Sequence, residues 1–390
     1  MQSLRLVRGS EVGTFLQDRW SWKRRWVDHL VKKTPDGKLF FGTLFHKYLE
    51  LYYQLESNVD EKVHDWIQDQ DLSGMDQVQY QELIELFHKV ADHYMTTYAP
   101  VDSFDIVATE LRFAIPLFEE DPLNLLEGAL DFAYEGTLDL LYLEQGRLKF
   151  MDHKTVSSVE RYVNNSILDR QISRYWWALT ALCQGYGYVW NEQRVLNATT
   201  GEETKTGQWI PVQETYLWDQ LNQFNGPDEF AYNIIRKDAP KKPERLKSGK
   251  GLSKNKSQNT TYALYKQAIV DNQLPESEYL DVLQHFEDQG DKFLRRITVT
   301  RNEAECQAAM DDFVKVCREI MSIRHELEVD PVTAESRLYY NITWDTPTFN
   351  SYFPLIQAEI KGENVDMVKA LLYETEKDWN PEDDFIEVEG

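Results

Sequence analysis

The sequence contains little cysteine: among its 390 residues only Cys183, Cys306 and Cys317 occur. None of them forms a C-x-x-C pair, and three thiols cannot supply the four thiolates of an iron–sulfur cluster. A disulfide framework is not expected either, because small secreted domains that depend on one need several pairs. The cysteine content is therefore typical of a protein from a reducing cytoplasm.

Long apolar segments are also absent. There is no apolar run of about 18 residues, the length that a membrane-spanning helix needs, and residues 1–10 lack the apolar centre of a signal peptide. We therefore expect a cytoplasmic protein without a membrane partner. The sequence also has no G-x-x-x-x-G-K-[ST], H-E-x-x-H or G-x-S-x-G motif, which argues against an ATP-driven motor, a zinc protease and a nucleophile-elbow hydrolase.

Positive charge is scarce overall, since 66 acidic and 42 basic residues give a net charge of -24. Such a surface repels phosphates. One segment is the exception and holds nine basic side chains, which are Arg236, Lys237, Lys241, Lys242, Arg245, Lys247, Lys250, Lys254 and Lys256. Charge alone favours two interpretations equally: local contact with nucleic acid, or an ordinary solvated loop.

Apolar and aromatic residues are plentiful, at 42% and 13%, so a sizeable core is available. Residues 1–35 predict a basic, tryptophan-rich helical start. Apolar periodicity then predicts helices at 43–55, 78–98, 168–183, 261–272, 277–289 and 304–327, and strands at 105–117, 136–143, 147–151, 185–192, 208–216 and 293–300. This order of elements indicates an α/β domain with a mainly antiparallel or mixed central sheet.

The D-x-K pattern of residues 152–154 is the first candidate for a catalytic site. It ends an apolar strand after a predicted two-residue turn at 145–146, and the register of that turn places Asp139 opposite Asp152. Facing carboxylates repel each other, and a divalent cation would remove the repulsion. Lys154 shares the face of Asp152, as metal-assisted phosphodiester hydrolysis requires. An ordinary edge hairpin with two solvated aspartates is the alternative interpretation.

Three further motifs accompany this pattern: G-x-x-x-H at Gly42 to His46, G-x-x-D at Gly136 to Asp139, and Q-x-x-x-Y at Gln171 to Tyr175. In order and spacing, the four motifs resemble the RecB/AddB-like branch of the PD-(D/E)XK superfamily, especially its phage-encoded exonucleases. The motifs cover residues 42–175. Each is weak alone, and the fixed order of all four makes the resemblance fairly specific.

The resemblance implies a restriction-endonuclease-like core, a central mixed sheet flanked by helices, with helical additions at both ends. It also implies Mg²⁺ or Mn²⁺ as cofactor. The implied metal ligands are Asp139, Asp152, the backbone carbonyl of His153, and His46. The implied catalytic group adds Lys154, Gln171 and Tyr175, and Glu110 is a candidate additional acid. The alternatives are a half-buried helix histidine for His46, a polar residue beside a core aromatic for Gln171 and Tyr175, and a solvent-facing strand glutamate for Glu110.

The sequence departs from its relatives at two points. Many of them bind an iron–sulfur cluster through one cysteine near the N-terminus and three near the C-terminus, whereas residues 15–26 and 341–355 contain none. We therefore predict no cluster, and we expect aromatic packing to hold the C-terminal end, through Trp344, Phe349, Tyr352 and Phe353. In addition, Leu138 stands where the superfamily's name-giving proline would precede Asp139.

These observations predict four regions: a helical region 1–100 with the G-x-x-x-H motif, a nuclease core 101–235, a basic DNA-contact loop 236–260, and a helical region 261–390 with an acidic tail. The expected function is that of a metal-dependent DNA nuclease, more an exonuclease than an endonuclease. Its expected partners are DNA and a recombination or replication protein, in a bacterial or phage-infected cell. The residues expected to contact DNA are Arg236, Lys237, Lys241, Lys242, Arg245, Lys247 and Lys250. Two alternatives remain: an inactive nuclease-fold subunit that binds DNA, and an acidic decoy that binds a basic protein.

Overall fold

The computed structural model describes residues 2–34, 37–70, 72, 74–118, 131–166, 169–196, 203–246, 251–376 and 379–388. Its strands are β1 (Gln2–Arg8), β2 (Leu30–Lys32), β3 (Asp105–Leu117), β4 (Phe132–Glu144), β5 (Arg147–Val156), β6 (Tyr188–Leu196), β7 (Glu203–Pro211), β8 (Glu229–Arg236), β9 (Leu294–Val299), β10 (Tyr373–Thr375) and β11 (Phe385–Val388). Its helices are α1 (Gly9–Gln17), α2 (Arg19–Trp26), α3 (Gly37–Tyr53), α4 (Val59–Gln68), α5 (Gln77–Tyr98), α6 (Val159–Ser166), α7 (Arg170–Cys183), α8 (Tyr216–Leu221), α9 (Tyr262–Asp271), α10 (Leu280–Gln289), α11 (Glu303–Val329), α12 (Pro331–Glu335), α13 (Thr346–Phe349), α14 (Phe353–Lys361) and α15 (Val365–Leu372).

Nine of the described strands form one mixed sheet. Its main order is β7-β6-β3-β4-β5-β8-β9, and β1 and β11 extend it beside the first part of β4. The pairs β3–β4, β4–β5, β3–β6 and β8–β9 are antiparallel, whereas β5–β8 and β1–β4 are parallel. The expected α/β architecture, a mixed sheet flanked by helices, is thereby confirmed.

Strand β4 has two successive partners along one of its edges. Residues 132–135 pair in parallel with β1, and residues 140–144 pair antiparallel with β5, while β3 follows the opposite edge of β4. In this fully described stretch, residues 136–139 pair with neither β1 nor β5. The sheet therefore forks at the G-x-x-D motif, and the fork opens a gap in which side chains from both faces of the sheet can meet.

Helices cover both faces of the sheet. On one face, α1, α7 and α11 pack on aromatic side chains such as Phe150 and Phe230. On the other face, α3 and α5 pack on the neighbouring residues Met151 and Ala231. The alternation follows from the two-residue period of a strand. Each fully buried Phe contributes roughly 1.5–3 kcal/mol relative to an exposed one, so these two cores fix the positions of α3 and α7 against the fork.

Several predicted elements agree closely with the structure. Strand β3 has the predicted bounds, 105–117, and the helices predicted at 78–98 and 304–327 are α5 and α11. The strand predicted at 208–216 is wrong in its second half, because β7 ends at residue 211 and a short helical turn leads into α8. Strand β8 was not predicted, although it is central in the sheet.

The prediction that residues 1–35 are helical is wrong in part, because this region contains strands β1 and β2 as well as helices α1 and α2. Strand β1 alternates apolar and polar residues, and Leu4 and Leu6 are buried against β11 and the start of β4. The acidic C-terminal residues also contribute to the sheet, because β11 pairs with β1 and buries Ile386 and Val388. The two termini therefore extend the core sheet together.

Aromatic packing near the C-terminus involves only part of the predicted set. Tyr352 is buried, stacks on Tyr373 and donates a 2.6 Å hydrogen bond to the carbonyl of Leu30. Trp344 is fully exposed, which contradicts the prediction that it packs there. The side chain of Phe349 lies outside the described residues. The region from residue 352 to residue 375 is therefore held against β2 by Tyr352 and Tyr373.

Candidate active site and metal centre

The hairpin of β4 and β5 has the register that its two-residue turn predicts. Residues 140–144 pair with residues 147–151 around the turn, so Asp139 and Asp152 occupy the next level of the ladder. The carboxylate of Asp139 accepts a 2.6 Å hydrogen bond from the backbone N–H of His153. Asp139 and Asp152 thus come together at the fork of the sheet.

Glu110 adds a third carboxylate at the same level, from the neighbouring strand β3. The pairing of β3 with β4 on both sides of Glu110 places it across from Asp139. Its φ of +47° is rare for a residue with a side chain and interrupts the regular strand, at a cost of about 1–3 kcal/mol. The side chain is half-buried. The alternative of a solvent-facing glutamate therefore does not describe Glu110.

His46 reaches this group from α3 on the other face of the sheet. Its Nδ1 lies 3.6 Å from Oδ2 of Asp139, and ligand atoms of His46, Glu110 and Asp139 all lie within 4.8 Å of one another. Helix α3 approaches β5 closely at Gly42, where a Cβ would lie 3.0 Å from Oγ1 of Thr155. The glycine of the G-x-x-x-H motif thus allows α3 to lie close to β5, and this closeness lets the histidine of the motif reach Asp139.

Lys154 lies on the same face of β5 as Asp152, as predicted. Its Nζ is 2.7 Å from Oδ2 and 3.0 Å from Oδ1 of Asp152, and it donates a 3.1 Å hydrogen bond to Oε1 of Gln171. The Asp152 side chain is only 5% exposed. The carboxylate of Asp152 is therefore held by the lysine, while Asp139 belongs to the group with His46 and Glu110.

Gln171 and Tyr175 lie one turn apart on α7 and extend the contact with Lys154. Nε2 of Gln171 donates a 2.9 Å hydrogen bond to the Tyr175 hydroxyl. Asp169 caps the helix by accepting from the N–H of Gln171, and its other oxygen accepts from the hydroxyl of Tyr232. This geometry makes the pair a polar chain that leads to the lysine, and the Tyr175 ring also packs edge to face on the core residue Phe113.

The glycine of the G-x-x-D motif makes room for this chain. A Cβ at Gly136 would lie 2.9 Å from the Tyr175 ring and 2.5 Å from Cζ of Phe113. The Q-x-x-x-Y and G-x-x-D motifs are therefore coupled by direct contact across the fork.

The side chain of His153 points away from Asp152, into the opposite core. It stacks on Tyr53 and its Nδ1 lies 2.9 Å from Nδ2 of Asn233. Oδ1 of Asn233 accepts from Arg296, which can only donate, so the amide nitrogen faces His153 and Nδ1 must accept. Burial lowers the pKa of His153 well below its usual range, and the ring stays neutral. The backbone of His153 contacts Asp139, and its ring meets the metal group only at His46, in an edge-to-face contact at 5.9 Å between ring centroids.

Burial is the largest cause of the pKa shifts of Asp152 and Glu110. It raises the pKa of Asp152, with Lys154 acting against the shift and Asp139 adding to it, and it raises the pKa of Glu110, with Asp139 adding to the shift. Burial acts to lower the pKa of Lys154, but Asp152 and Asp139 outweigh it and raise that pKa. A positive charge close to Glu110 and Asp152 would favour their ionised forms.

A hard divalent cation fits this donor set. Carboxylate oxygens and one imidazole converge on a single point, and Oδ2 of Asp152 is buried with no well-aligned hydrogen-bond donor. A bound cation would favour the ionised carboxylates over the protonated ones. The residues are therefore suited to hold a metal ion at His46, Glu110 and Asp139, with Asp152 next to them.

A comparison with known protein families shows which family has this arrangement. The family model described as the PD-(D/E)XK nuclease superfamily matches residues 10–321, most of the chain. The chain belongs to the PD-(D/E)XK nuclease superfamily. It is thus of the kind that hydrolyses phosphodiester bonds with the help of a divalent metal. No curated protein matches the sequence.

The family match ends within α11. Helices α12 to α15 and strands β10 and β11 of this PD-(D/E)XK protein follow it. Within the described residues, no helix is both long and apolar enough to cross a bilayer. The three cysteines of the nuclease are buried and form no disulfide.

The basic residues predicted to contact DNA lie in different places: some are close to the site and others are farther along the loop. Arg236 is the last residue of strand β8 and Lys237 follows it; both lie beside the end of β5, close to the site. Arg236 is engaged with Asp238 and Asn259. The exposed members farther along the loop are Lys241, Lys242 and Arg245. The two remaining residues of the predicted set, Lys247 and Lys250, lie outside the described residues.

A buried polar network behind the site was not predicted from the sequence. Arg296 of β9 pairs with Asp102 and donates hydrogen bonds to the hydroxyls of Tyr53 and Tyr94. Asn233 connects this network to His153. An asparagine inside the apolar run 230–235 is the signal that could have revealed it, because a buried amide needs partners.

Proposed function

We propose that the chain is a Mg²⁺- or Mn²⁺-dependent deoxyribonuclease that acts from DNA ends. The observation that carries the proposal is the juxtaposition of two groups at one fork of the sheet. One group is the cluster of His46, Glu110 and Asp139, and the other is the contact of Asp152 with Lys154. Family membership supports the phosphodiester chemistry, and the RecB-like motif order supports DNA and an exonuclease mode.

Asp139, Asp152, Glu110 and His46 would hold the metal, together with the backbone carbonyl of His153. When bound, the metal would lower the pKa of a water molecule and offset negative charge on the phosphate. The hydrogen bond from the backbone of His153 would keep the Asp139 carboxylate pointed into the site. The neutral His153 ring would add no charge there.

Lys154 would act as a proton-bearing group rather than as a general base. Its raised pKa keeps the ammonium charged at neutral pH. It would orient the attacking water and stabilise charge that develops on the phosphate oxygens. Gln171, itself hydrogen-bonded to Tyr175, would hold Nζ in place for this purpose.

The basic residues of the segment 236–250 would contact the DNA backbone. This assignment covers Arg236, Lys237, Lys241, Lys242 and Arg245, and it extends to Lys247 and Lys250. Such contacts give an affinity that falls steeply with salt. In this role the enzyme would serve DNA replication, recombination or degradation, in the cytoplasm of a bacterial or phage-infected cell and in company with a protein of those processes.

The test is the degradation of end-labelled linear DNA and of matched circular DNA in Mg²⁺, Mn²⁺ or EDTA. Wild type is compared with Lys154→Ala and with the control Lys149→Ala, which removes a lysine of the same strand that pairs with Glu144 and Glu229. We expect metal-dependent loss of linear DNA only, abolished in Lys154→Ala and retained in Lys149→Ala. Cleavage of circles would make the enzyme an endonuclease, and binding without cleavage would favour an inactive DNA-binding subunit.

A further inference from the structure

A cavity of about 670 Å³ adjoins the site on the side of the fork formed by β1. Its walls include the end of β1, the start of α1, and side chains of β3, β4 and α7. Three arginines line it, one from each of three separate elements: Arg8, Arg112 and Arg174. In a chain with a net charge of -24, this concentration of positive charge is a local exception.

Two of the arginines share one buried carboxylate. Nε of Arg8 and Nε of Arg112 both donate to Glu135, whose side chain is only 4% exposed. Among the described residues, the terminal Nη nitrogens of Arg8 and Arg112 have no hydrogen-bond partner. Glu135 thus fixes both guanidinium groups and leaves their donor-rich ends available for a ligand.

Arg174 has no carboxylate partner in the part of the chain that the structure describes. Its contacts are the hydroxyl of Tyr134 and the ring of Phe313, and its buried Nε has no acceptor. The group lies beside the start of α1, where a Cβ at Gly9 would be 3.2 Å from Nη2. A cation at the positive end of a helix is unfavourable unless an anion lies between them.

The first turn of α1 does not supply that anion. Glu11, the acidic residue of this turn, is buried and engaged by Arg324 and by the indole N–H of Trp22. Asp169, the second carboxylate of the cavity wall, accepts from the backbone of Gln171 and from Tyr232. The arginine charge that faces the cavity therefore exceeds the acidic charge.

Arg112 is held rigidly in its orientation. Its guanidinium lies against the indole rings of Trp190 and Trp209, at 4.6 and 4.9 Å from their centroids, and the two rings also contact each other edge to face. Both tryptophans are half-buried on the neighbouring strands β6 and β7. An arginine held by two rings and one carboxylate loses little further freedom when it binds a ligand.

The cavity is continuous with the catalytic group. Gln171 lines it and also accepts the hydrogen bond from Lys154. Along β4, Glu135 at the cavity and Asp139 at the metal group are four residues apart, roughly 13 Å of extended strand. This spacing corresponds to a few nucleotides of a bound strand.

We propose that the cavity is a phosphate-binding subsite in which Arg8, Arg112 and Arg174 seat a phosphate of the nucleic acid a few nucleotides from the bond that is cut. The inference rests on the proposed nuclease function and names the part of the substrate that this region recognises. The ligand is a phosphate dianion at a strand end or a diester within the strand. Both forms present two oxygen atoms that can accept the parallel N–H bonds of an arginine side chain.

Arg174→Gln tests the proposal, with Arg170→Gln as matched control. Arg170 lies one turn earlier on α7, and its exposed side chain pairs with Asp312 outside the cavity. We expect Arg174→Gln to raise KM roughly tenfold with little change in kcat, since a hydrogen bond to a charged group is lost. The slope of log affinity against log salt should fall by about 0.7–0.9, the value of one phosphate contact. Arg170→Gln should change neither, and Arg174→Lys should restore part of the affinity.

The source of the phosphate is decided by comparing substrates with phosphorylated and hydroxyl ends. A loss of affinity confined to phosphorylated ends would identify a terminal phosphate, and an equal loss on both would identify an internal one. Inorganic phosphate should compete with DNA for the wild-type protein, a measurement that needs no variant. If wild type cleaves DNA but Arg174→Gln matches Arg170→Gln and inorganic phosphate does not compete, the subsite is wrong and the nuclease stands. If wild type neither cleaves nor binds DNA, the nuclease function itself has failed.

Discussion

The backbone N–H of His153 donates a hydrogen bond of 2.6 Å to the carboxylate of Asp139 across the hairpin. The D-x-K motif therefore orients the aspartate of the G-x-x-D motif through its backbone, while its two charged side chains, Asp152 and Lys154, pair with each other. Because the bond uses Oδ2, which also lies nearest to His46, the position of Asp139 depends on the main chain of β5. The metal group and the lysine group are thus connected through the backbone of β5.

Asp139→Asn should separate the charge of this residue from its position. The amide oxygen can still accept from His153, so the free energy of unfolding should change by less than about 1 kcal/mol. Metal affinity and kcat should each fall by at least about a hundredfold, because a charged ligand is lost. Calorimetric titration with Mn²⁺ and single-turnover cleavage measure the two effects. Glu144→Gln, an exposed acid of the same strand, is the control, and equal losses in both variants would contradict a ligand role for Asp139.

Gln171→Ala should lower kcat without abolishing metal binding. The amide holds Nζ of Lys154 at 3.1 Å, and removal of such a positioning contact costs roughly ten- to a hundredfold. Tyr175→Phe should show a smaller loss, because it removes only the support of Gln171. Gln184→Ala changes an exposed glutamine at the end of the same helix and serves as control. An unchanged kcat with a raised KM would show that Gln171 binds substrate rather than positioning the lysine.

Gly136→Ala should disturb the contact between the two motifs at the fork. The new methyl group would lie 2.5 Å from Phe113 and 2.9 Å from Tyr175, so one of these rings must move. Overpacking of this kind costs about 1–3 kcal/mol of stability, and displacement of Tyr175 should also lower activity. Gly13→Ala is the control, since a Cβ there meets nothing within 4 Å and should stabilise α1 by about 0.5–1 kcal/mol. Urea unfolding of both variants compares the two signs directly.

Local patterns were sufficient for the parts of the fold that depend on local geometry. The two-residue turn fixed the register of β4 and β5, and the position of Asp139 opposite Asp152 followed from it. The apolar periodicity of α5 and α11 likewise predicted their extent. Each of these features is determined by residues that lie close together in the chain.

Long-range pairing explains what the sequence did not reveal. Strand β8 pairs in parallel with β5 after more than 70 intervening residues. Strand β1 pairs with β4 after more than 120 intervening residues, and with β11 across most of the chain. No turn connects these partners, so no local signal gives their register. The same holds for the arginine-lined cavity, whose three arginines come from distant segments and meet only where the sheet forks. His46, Glu110 and Asp139 were predicted as a group only because the motifs resemble those of a known family. No local sequence pattern connects His46 with Glu110.

Metal binding should become tighter as the pH rises through the neutral range. Burial and the nearby Asp139 raise the pKa of Glu110, whereas an unfolded glutamate has a pKa of about 4.3. The folded, metal-free protein thus keeps a proton that the unfolded chain releases, and this group destabilises the apo protein as the pH rises from about 4 toward the raised pKa. A divalent cation must displace that proton, so binding releases protons and its affinity increases with pH.

The increase in Tm caused by Mg²⁺ should therefore be larger at about pH 8 than at about pH 6, and Glu110→Gln should flatten this difference. Calorimetry in two buffers of different ionisation enthalpy counts the released protons, and a proton count that is unchanged by Glu110→Gln would assign them to another group.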